Sequence, residues 1–413
     1  MKYLRIAVLI SFSIIFISAS CEEQKSDKEQ LPPNNKLPAV ETKSPNTTYK
    51  SAFEGQTRIS GVKTVTPYKA TVILSNLDSP WAVTTLPDGR LVITEKAGTL
   101  RIVTKAGTVS NKITGFPEVD DRRQGGLLDV APAPDFSTSR MLYFTFAERA
   151  PQGTLTAVGK GRLSDDETVI ENFQIIYRAI PYYDNSMHLG SRLVFDSAGN
   201  LFVSTGERSE LATRYNAQKL DTAHGKVVHI TPDGNPVPNN PFINSEGVLP
   251  EIYSYGHRNP QGLDIHPKTG DLWLSEMGPR GGDEINLIKP GKNYGWPTIT
   301  YGIEYTGSKI GDGITVHDSM EQPVYYWDPV LSPSGMTFYR SSVIPEWENN
   351  LFIGGLSSKH IARIVLDENN KVVGEERLLE SENERFRDVG DGGDGSLYAV
   401  TDSGKLYRIE KSN

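Results

Sequence analysis

Of the seven histidines in the chain, His188 is the one whose setting suits proton transfer. It opens the run His188-Leu189-Gly190-Ser191-Arg192-Leu193-Val194-Phe195, at the entry to a short apolar strand. A neutral imidazole there can take a proton near neutral pH, the task of a general base. A lone histidine is more often a turn cap, so the assignment depends on its neighbours. The segment Gly256-His257-Arg258-Asn259-Pro260-Gln261-Gly262 sets an arginine and two amides among glycines. Glycine lets backbone approach a ligand, and a guanidinium offers a planar fork to carboxylates. Pairing of Arg258 with a structural carboxylate is the alternative.

Two further clusters carry chemistry. Glu276-Met277-Gly278-Pro279-Arg280-Gly281-Gly282-Asp283-Glu284 is a Gly-rich stretch with carboxylates. Hard cations such as Ca²⁺ take six to eight oxygens, backbone carbonyls included. Gly278 and Pro279 could offer carbonyls and Glu284 a carboxylate, although such clusters are also ordinary turns. Arg385 and Arg387 lie two apart, so on a strand both project to one side. Such a pair either binds a polyanion or neutralises two acids.

The elements that must position these groups are short strands. Apolar runs of four to six residues alternate with Gly/Asp/Asn/Pro turns, and helical periodicity is scarce. One unit recurs six times: an apolar strand, an Asp/Gly/Asn turn, then a leucine followed by apolar or aromatic residues. The marker leucines are Leu91, Leu142, Leu201, Leu272, Leu351 and Leu397. A hairpin repeated about every 40–50 residues, longer where loops insert, is the signature of a β-propeller. The expected fold is all-β: a six-bladed propeller of four-stranded antiparallel blades over residues 63–413. In each hairpin the first strand begins where the second ends. Trp81, Gln124, His188, Arg258, Ser334 and Arg387, together with Glu95, Glu207 and Glu276, should therefore meet on one face around the central channel.

A net charge of −8 without a long Lys/Arg run excludes nucleic acid, or an anionic membrane surface, as the main partner. A single cysteine excludes a disulfide framework, a Cys zinc site and an iron–sulfur cluster. No G-x-G-x-x-G or G-x-x-x-x-G-K-[ST] segment is present to hold a nucleotide. Lys2 and Arg5 precede the apolar run Ile6 to Ile17, and Ser18-Ala19-Ser20 ends in small residues. This reads as an export signal over residues 1–20. Cys21 directly after it resembles the lipidated residue of a bacterial lipoprotein, which would place the protein in the periplasm or cell envelope on a lipid anchor. Residues 21–62 are polar and aperiodic and are expected to form a flexible linker.

Several ordered motifs together resemble the PQQ-dependent soluble glucose dehydrogenase and aldose sugar dehydrogenase family (PQQ is pyrroloquinoline quinone). They are Gln124-Gly125-Gly126-Leu127-Leu128, the His188 and Arg258 segments, Gly278-Pro279 with Asp283-Glu284-Ile285-Asn286, Asn293-Tyr294-Gly295-Trp296-Pro297, and Arg385-Phe386-Arg387-Asp388-Val389. The likeness runs from about Leu74 to Ile409, and the family fold is a six-bladed propeller. It implies that His188 takes the proton from the anomeric hydroxyl of an aldose while hydride passes to PQQ, giving a lactone. Glu207 would orient His188, and Arg258 with Ca²⁺ would polarise the quinone oxygen. Gln124, Asn259, Arg385 and Arg387 would hold PQQ, with Tyr305 a further contact. Gly278 and Pro279 would ligate Ca²⁺, and Glu284 and Tyr294 match a second Ca²⁺ site. Relatives carry a cofactor lysine in a Gly-x-Leu-Lys setting; here Gly354-Gly355-Leu356 is followed by Ser357, and Lys359 is the nearest substitute. Electrons would pass on to an acceptor outside the chain.

Two other readings remain. A Ca²⁺ lactonase would need a carboxylate/Asn metal cluster on the channel axis. A lipid-anchored propeller that binds a carbohydrate or protein partner without catalysis would follow from loss of the cofactor site, as Ser357 suggests.

Overall fold

A computed structural model describes residues 37–412. The export signal and Cys21 lie outside the described residues. Six antiparallel sheets form the blades of a propeller. Their innermost strands are Pro80–Thr85, Leu127–Pro132, Leu193–Phe195, Pro260–Ile265, Pro333–Phe338 and Phe386–Asp391. Each packs against the next, and the sixth against the first, which closes the ring. The last blade joins both ends of the fold, since Leu406–Lys411 pairs with Tyr68–Leu74. Blade 1 has three strands, Pro80–Thr85, Leu91–Glu95 and Thr99–Val103. Its fourth position is taken by residues 109–113, which make isolated bridges to Val103 and Leu100.

The marker leucines explain the stacking. A strand alternates its faces, so a leucine and the residue after it point to opposite sides of the sheet. Leu201 packs between blades 2 and 3 while Phe202 packs between 3 and 4. Leu272 and Trp273 split likewise between the 3/4 and 4/5 layers, and Leu351 and Phe352 between 4/5 and 5/6. Leu397-Tyr398, Leu91-Val92 and Leu142-Tyr143 complete the circuit. The core is therefore six apolar layers, and each repeat glues its blade to both neighbours. The turns are local: in Asp196-Ser197-Ala198-Gly199-Asn200 the Asp196 carboxylate accepts the Ala198 and Asn200 N–H groups, both at 2.8 Å.

Polar bonds between blades add a three-fold pattern. Asp129, Asp264 and Asp388, on the inner strands of blades 2, 4 and 6, accept backbone N–H groups of Leu193, Phe338 and Val83 in blades 3, 5 and 1, at 2.8–2.9 Å. Across the channel, Arg192 donates to Asp129 and Asp388 (3.3 and 3.1 Å) and its guanidinium lies 4.1 Å over the Trp81 ring. Burial raises the Asp388 carboxyl to about 6 despite Arg192.

The expected linker is corrected over residues 37–62. Leu37–Ala39 pairs with Ser60–Gly61, which joins the outer strand of blade 5 at Glu375. Between them the chain lies against blades 4 and 5, with Asn46 and Thr47 on the Asp328 carboxylate. This stretch has little apolar surface, and acceptors far along the chain hold it instead.

Candidate active site

The inner strands all begin at one face, and His188, Arg258 and Arg387 gather there. His188 precedes the inner strand of blade 3 in a left-handed conformation, φ +47°. Such a conformation costs energy in a non-glycine residue and persists only where the surroundings enforce it. Its N–H donates to Gln124 Oε1 (2.8 Å), and Gly206 lies so close that a Cβ there would sit 2.1 Å from the His188 carbonyl oxygen. Arg208, buried and unremarked in the sequence, donates to the carbonyls of Thr154, Asn185 and Met187 and so cinches the 185–187 turn.

His188 Nδ1–H donates to Glu207 Oε1 at 2.5 Å, and that oxygen also accepts the Ser209 N–H at 3.1 Å. Two donors on one oxygen fix the carboxylate, which fixes the tautomer and leaves His188 Nε2 as the acceptor nitrogen. Burial, with Arg258 nearby, pulls the imidazole down to about 4, so it is neutral at physiological pH and its Nε2 lone pair is free to accept a proton. Glu207 Oε2 is buried without a partner among the described residues.

Arg258 is anchored through its N–H to Glu276 Oε2 (2.6 Å) and through Nη1 to the carbonyls of Met277 and Gly278 (3.0 and 2.7 Å). Its guanidinium stacks 5.2 Å from the Trp296 ring, and its Nε is buried without a partner among the described residues. Arg258 thus bonds the very carbonyl expected as a Ca²⁺ ligand. Asn259 Oδ1 accepts the Gly190 N–H (3.1 Å), and its Nδ2 has only a 3.6 Å contact to Met277 Sδ. Gln124 and Asn259 have therefore spent their oxygens on the protein, leaving the donor ends of both amides for an anion.

Arg385 and Arg387 both grip one carboxylate. Arg385 Nε reaches Asp402 Oδ2 at 2.7 Å and Arg387 Nε reaches Asp402 Oδ1 at 2.9 Å. Burial alone would raise the Asp402 carboxyl, but the two guanidiniums outweigh it and hold it low. The Lys96 ammonium, also missed in the sequence, is held down by burial and by Arg387 nearby. Three cations thus lie near Asp402, with Asp121 a second carboxylate near Lys96. Ser357 instead accepts from Ser332 Oγ (2.8 Å), and Lys359 sits beside Glu384.

Not every expected residue joins the cluster. Tyr305 is 71% exposed. Glu95 is turned inward onto Asp78, Thr99 and Arg101. Glu284 and Tyr294 lie inside blade 4, joined through Asn286, Glu276 and His257, with Tyr294 stacked on His257 at 4.9 Å. The Tyr294 hydroxyl donates to the Leu287 carbonyl at 2.6 Å, so only its backbone oxygen is left for a cation. Burial, then Glu276, pushes the Glu284 carboxyl well above the usual range. Among the described residues no three His, Cys, Asp or Glu side chains come together as a metal site.

A profile of the Glucose / Sorbosone dehydrogenase family matches residues 77–408. Aldose sugar dehydrogenase YliI of Escherichia coli (strain K12) is 44% identical over 348 residues, 83% of this chain and 92% of its own. The crystal structure of the soluble aldose sugar dehydrogenase from Escherichia coli in its apo-form superposes with TM-score 0.79 at 43% identity, covering 84% of this chain and 100% of that one. The PQQ-bound form of the aldose sugar dehydrogenase from Streptomyces coelicolor gives TM-score 0.69 at 27% identity, over 84% and 99% of the two chains.

Proposed function

The chain belongs to the glucose/sorbosone dehydrogenase family, and we propose that it oxidises aldoses at the anomeric carbon to lactones with PQQ and Ca²⁺, His188 acting as general base. The observation that carries this is the His188–Glu207 pair at 2.5 Å beside the Arg258 guanidinium, whose Nε has no partner among the described residues. Removing two electrons and two protons from the hemiacetal carbon needs a base at the hydroxyl and an electron sink; PQQ, when bound, supplies the sink and Ca²⁺ a Lewis acid beside it. His188 Nε2 accepts the hydroxyl proton. Glu207 keeps Nδ1 protonated and stabilises the imidazolium that forms. Arg258 holds positive charge where negative charge develops, in a site that needs no reorganisation.

The donor set fits a tricarboxylate. Arg385, Arg387 and Arg258 supply guanidiniums, and Gln124 and Asn259 supply amide N–H groups with no other strong acceptor. For Ca²⁺ the chain offers the Gly278 and Pro279 carbonyls, the former also accepting from Arg258; these are too few alone for an ion that takes six to eight oxygens, so the ion would need further oxygens from the cofactor or water. Export on a lipid anchor at Cys21, with electrons leaving to an envelope acceptor, completes the reading. The lactonase alternative is disfavoured because the channel axis holds the Arg192 guanidinium between its two carboxylates. The test adds PQQ and Ca²⁺ to the purified protein and follows dye reduction with a panel of aldoses. Reduction that requires sugar, PQQ and Ca²⁺ together is expected, with EDTA and no-PQQ controls silent. No activity and no PQQ-induced rise in Tm would refute it in favour of a non-catalytic binding propeller.

A further inference from the structure

The stretch expected to be a flexible linker touches the turn that carries Gly278 and Pro279. That turn is fastened at its far side: Gly282 N–H donates to the Trp327 carbonyl (2.8 Å), and Arg280 and Ile303 exchange backbone bonds (3.1 and 3.2 Å). Asp328, the residue after Trp327, presses on it, since a Cβ on Gly281 would lie 2.8 Å from Asp328 Oδ1. The N-terminal strap holds Asp328 from outside. Asn46 N–H, Thr47 N–H and Thr47 Oγ1 donate to its carboxylate at 2.7, 3.1 and 3.0 Å. Asn46 Oδ1 also accepts from Arg280 Nε (3.2 Å), a direct bond from strap to turn. Farther along, fully buried Gln56 accepts from the Tyr301 hydroxyl (3.0 Å), beside the 301–303 segment that pairs with Arg280.

We infer that residues 46–56 are a positioning brace for the 278–283 turn, and that the strap thereby sets how well the chain holds its cofactor. This rests on the function proposed above. The brace lies outside the 77–408 match to the family. The physical argument is pre-organisation. A turn rich in glycine loses much conformational entropy on binding unless something fixes it first. Here the fixing bonds come from a segment more than 200 residues away in sequence. Backbone carbonyls make good ligands only when they are held still: Gly278 is held locally, its N–H on the Asp283 carboxylate (2.8 Å) and its carbonyl on Arg258 Nη1 (2.7 Å), and the strap adds the fastening at Arg280 and, through Asp328, at Gly281.

The test compares the parent with Asn46→Ala/Thr47→Ala and with Thr47→Ser, which keeps the hydroxyl. Hydrogen exchange of the cofactor-free proteins reads the turn itself, and fluorescence titration with PQQ in the presence of Ca²⁺ reads affinity. In the double variant, exchange over 278–283 rises about 10-fold and the PQQ Kd rises roughly 5- to 20-fold, as loss of the side-chain bonds from Asn46 to Arg280 and Pro329 and from Thr47 to Asp328 implies, the two backbone N–H donors being kept. Exchange in blade 2 stays unchanged, and Thr47→Ser behaves as the parent. Unchanged exchange over 278–283 overturns the brace, and so does raised exchange with a PQQ Kd within twofold of the parent. A parent that binds no PQQ refutes the proposed function instead, while the exchange arm still decides whether the strap fixes the turn.

Discussion

Glu207→Gln tests the heart of the site. The Glu207 oxygen that faces His188 also accepts the Ser209 N–H, so it must remain an oxygen. The amide of Glu207→Gln therefore turns its carbonyl toward Nδ1 and its NH₂ to the position of the unpartnered Oε2. Tautomer and orientation survive, and only the charge is lost. A hydrogen bond to a charged group contributes about 1.5–3 kcal/mol and a neutral one about 0.5–1.5. The imidazolium formed in the transition state should thus lose about 1–2 kcal/mol, or roughly 5- to 30-fold in kcat. Because Glu207 raises the His188 pKa against burial, its neutralisation also moves the acid limb of kcat/KM to lower pH. Glu207→Ala, which removes the lock on the tautomer as well, should cost on the order of 10²–10⁴-fold. The assay is dye reduction at saturating PQQ and Ca²⁺ between pH 4 and 7, with a C1-deuterated aldose to confirm that the chemical step is being read. A Glu207→Gln enzyme with parental kcat and an unmoved limb would refute the His188–Glu207 base. A matching fall in PQQ affinity would make Glu207 a cofactor residue instead.

Three more substitutions probe separate parts of the molecule. His188→Gln should abolish most turnover yet leave the PQQ Kd within a few-fold. His188 is about 4 in the folded chain and near 6.5 unfolded, so between those values only the unfolded chain takes the proton and stability falls as pH falls. The parent should therefore lose up to about 3 kcal/mol relative to His188→Gln between pH 7 and pH 4, read from urea midpoints; a pH-independent difference would contradict a buried neutral imidazole. Arg387→Ala should weaken PQQ by about 1.5–3 kcal/mol in a direct titration, whereas an unchanged Kd would leave Arg387 a structural partner of Asp402. Arg192→Met leaves Asp129 and Asp388 facing each other uncompensated and should cost about 3–5 kcal/mol at pH 7. That loss should shrink at pH 5, where Asp388 takes a proton; an equal loss at both pH values would show that the cost does not come from the carboxylate charges.

The propeller was legible because its signal is local. The leucine after each turn and the aromatic or branched residue after it, as in Leu201-Phe202 and Leu272-Trp273, state within two residues that a strand is packed on both faces. The same repeat held a signal that went unread: Asp129, Asp264 and Asp388 recur at one position in alternate copies, where each bonds the next blade. Hairpin logic placed His188 and Glu207 together, and extended to blade 6 it would have brought Asp402 to Arg385 and Arg387. The strap was illegible for a physical reason. Composition reports whether a segment buries its own apolar surface, and residues 41–58 do not depend on that. Asn46 and Thr47 are held by Asp328, some 280 positions on, and Thr64 by Glu376, so the stabilising groups belong to other parts of the sequence.

The absent family lysine can be resolved by the same geometry. Lys359 was the substitute suggested by sequence proximity to Ser357, but it lies beside Glu384, whose carboxyl it helps hold low. Lys96 directly follows the second strand of blade 1, close enough to Arg387 for the guanidinium to depress its ammonium. With Arg385 and Arg387 it makes three positive charges, against the negative charges of Asp402 and of Asp121 near Lys96. A dianionic or trianionic ligand relieves that excess, and each cation brought near it should add attraction that salt weakens. Lys96 is partly exposed and already donates to the Arg123 carbonyl at 2.6 Å, so its share is smaller than a buried guanidinium's. Lys96→Met should accordingly weaken PQQ about 3- to 10-fold at low ionic strength, less in 0.5 M salt, and Lys359→Met should change it by less than about twofold. If the two results were exchanged, the cofactor would sit toward blade 5 and Lys359 would be the true replacement, with Lys96 merely fastening the turn at Arg123.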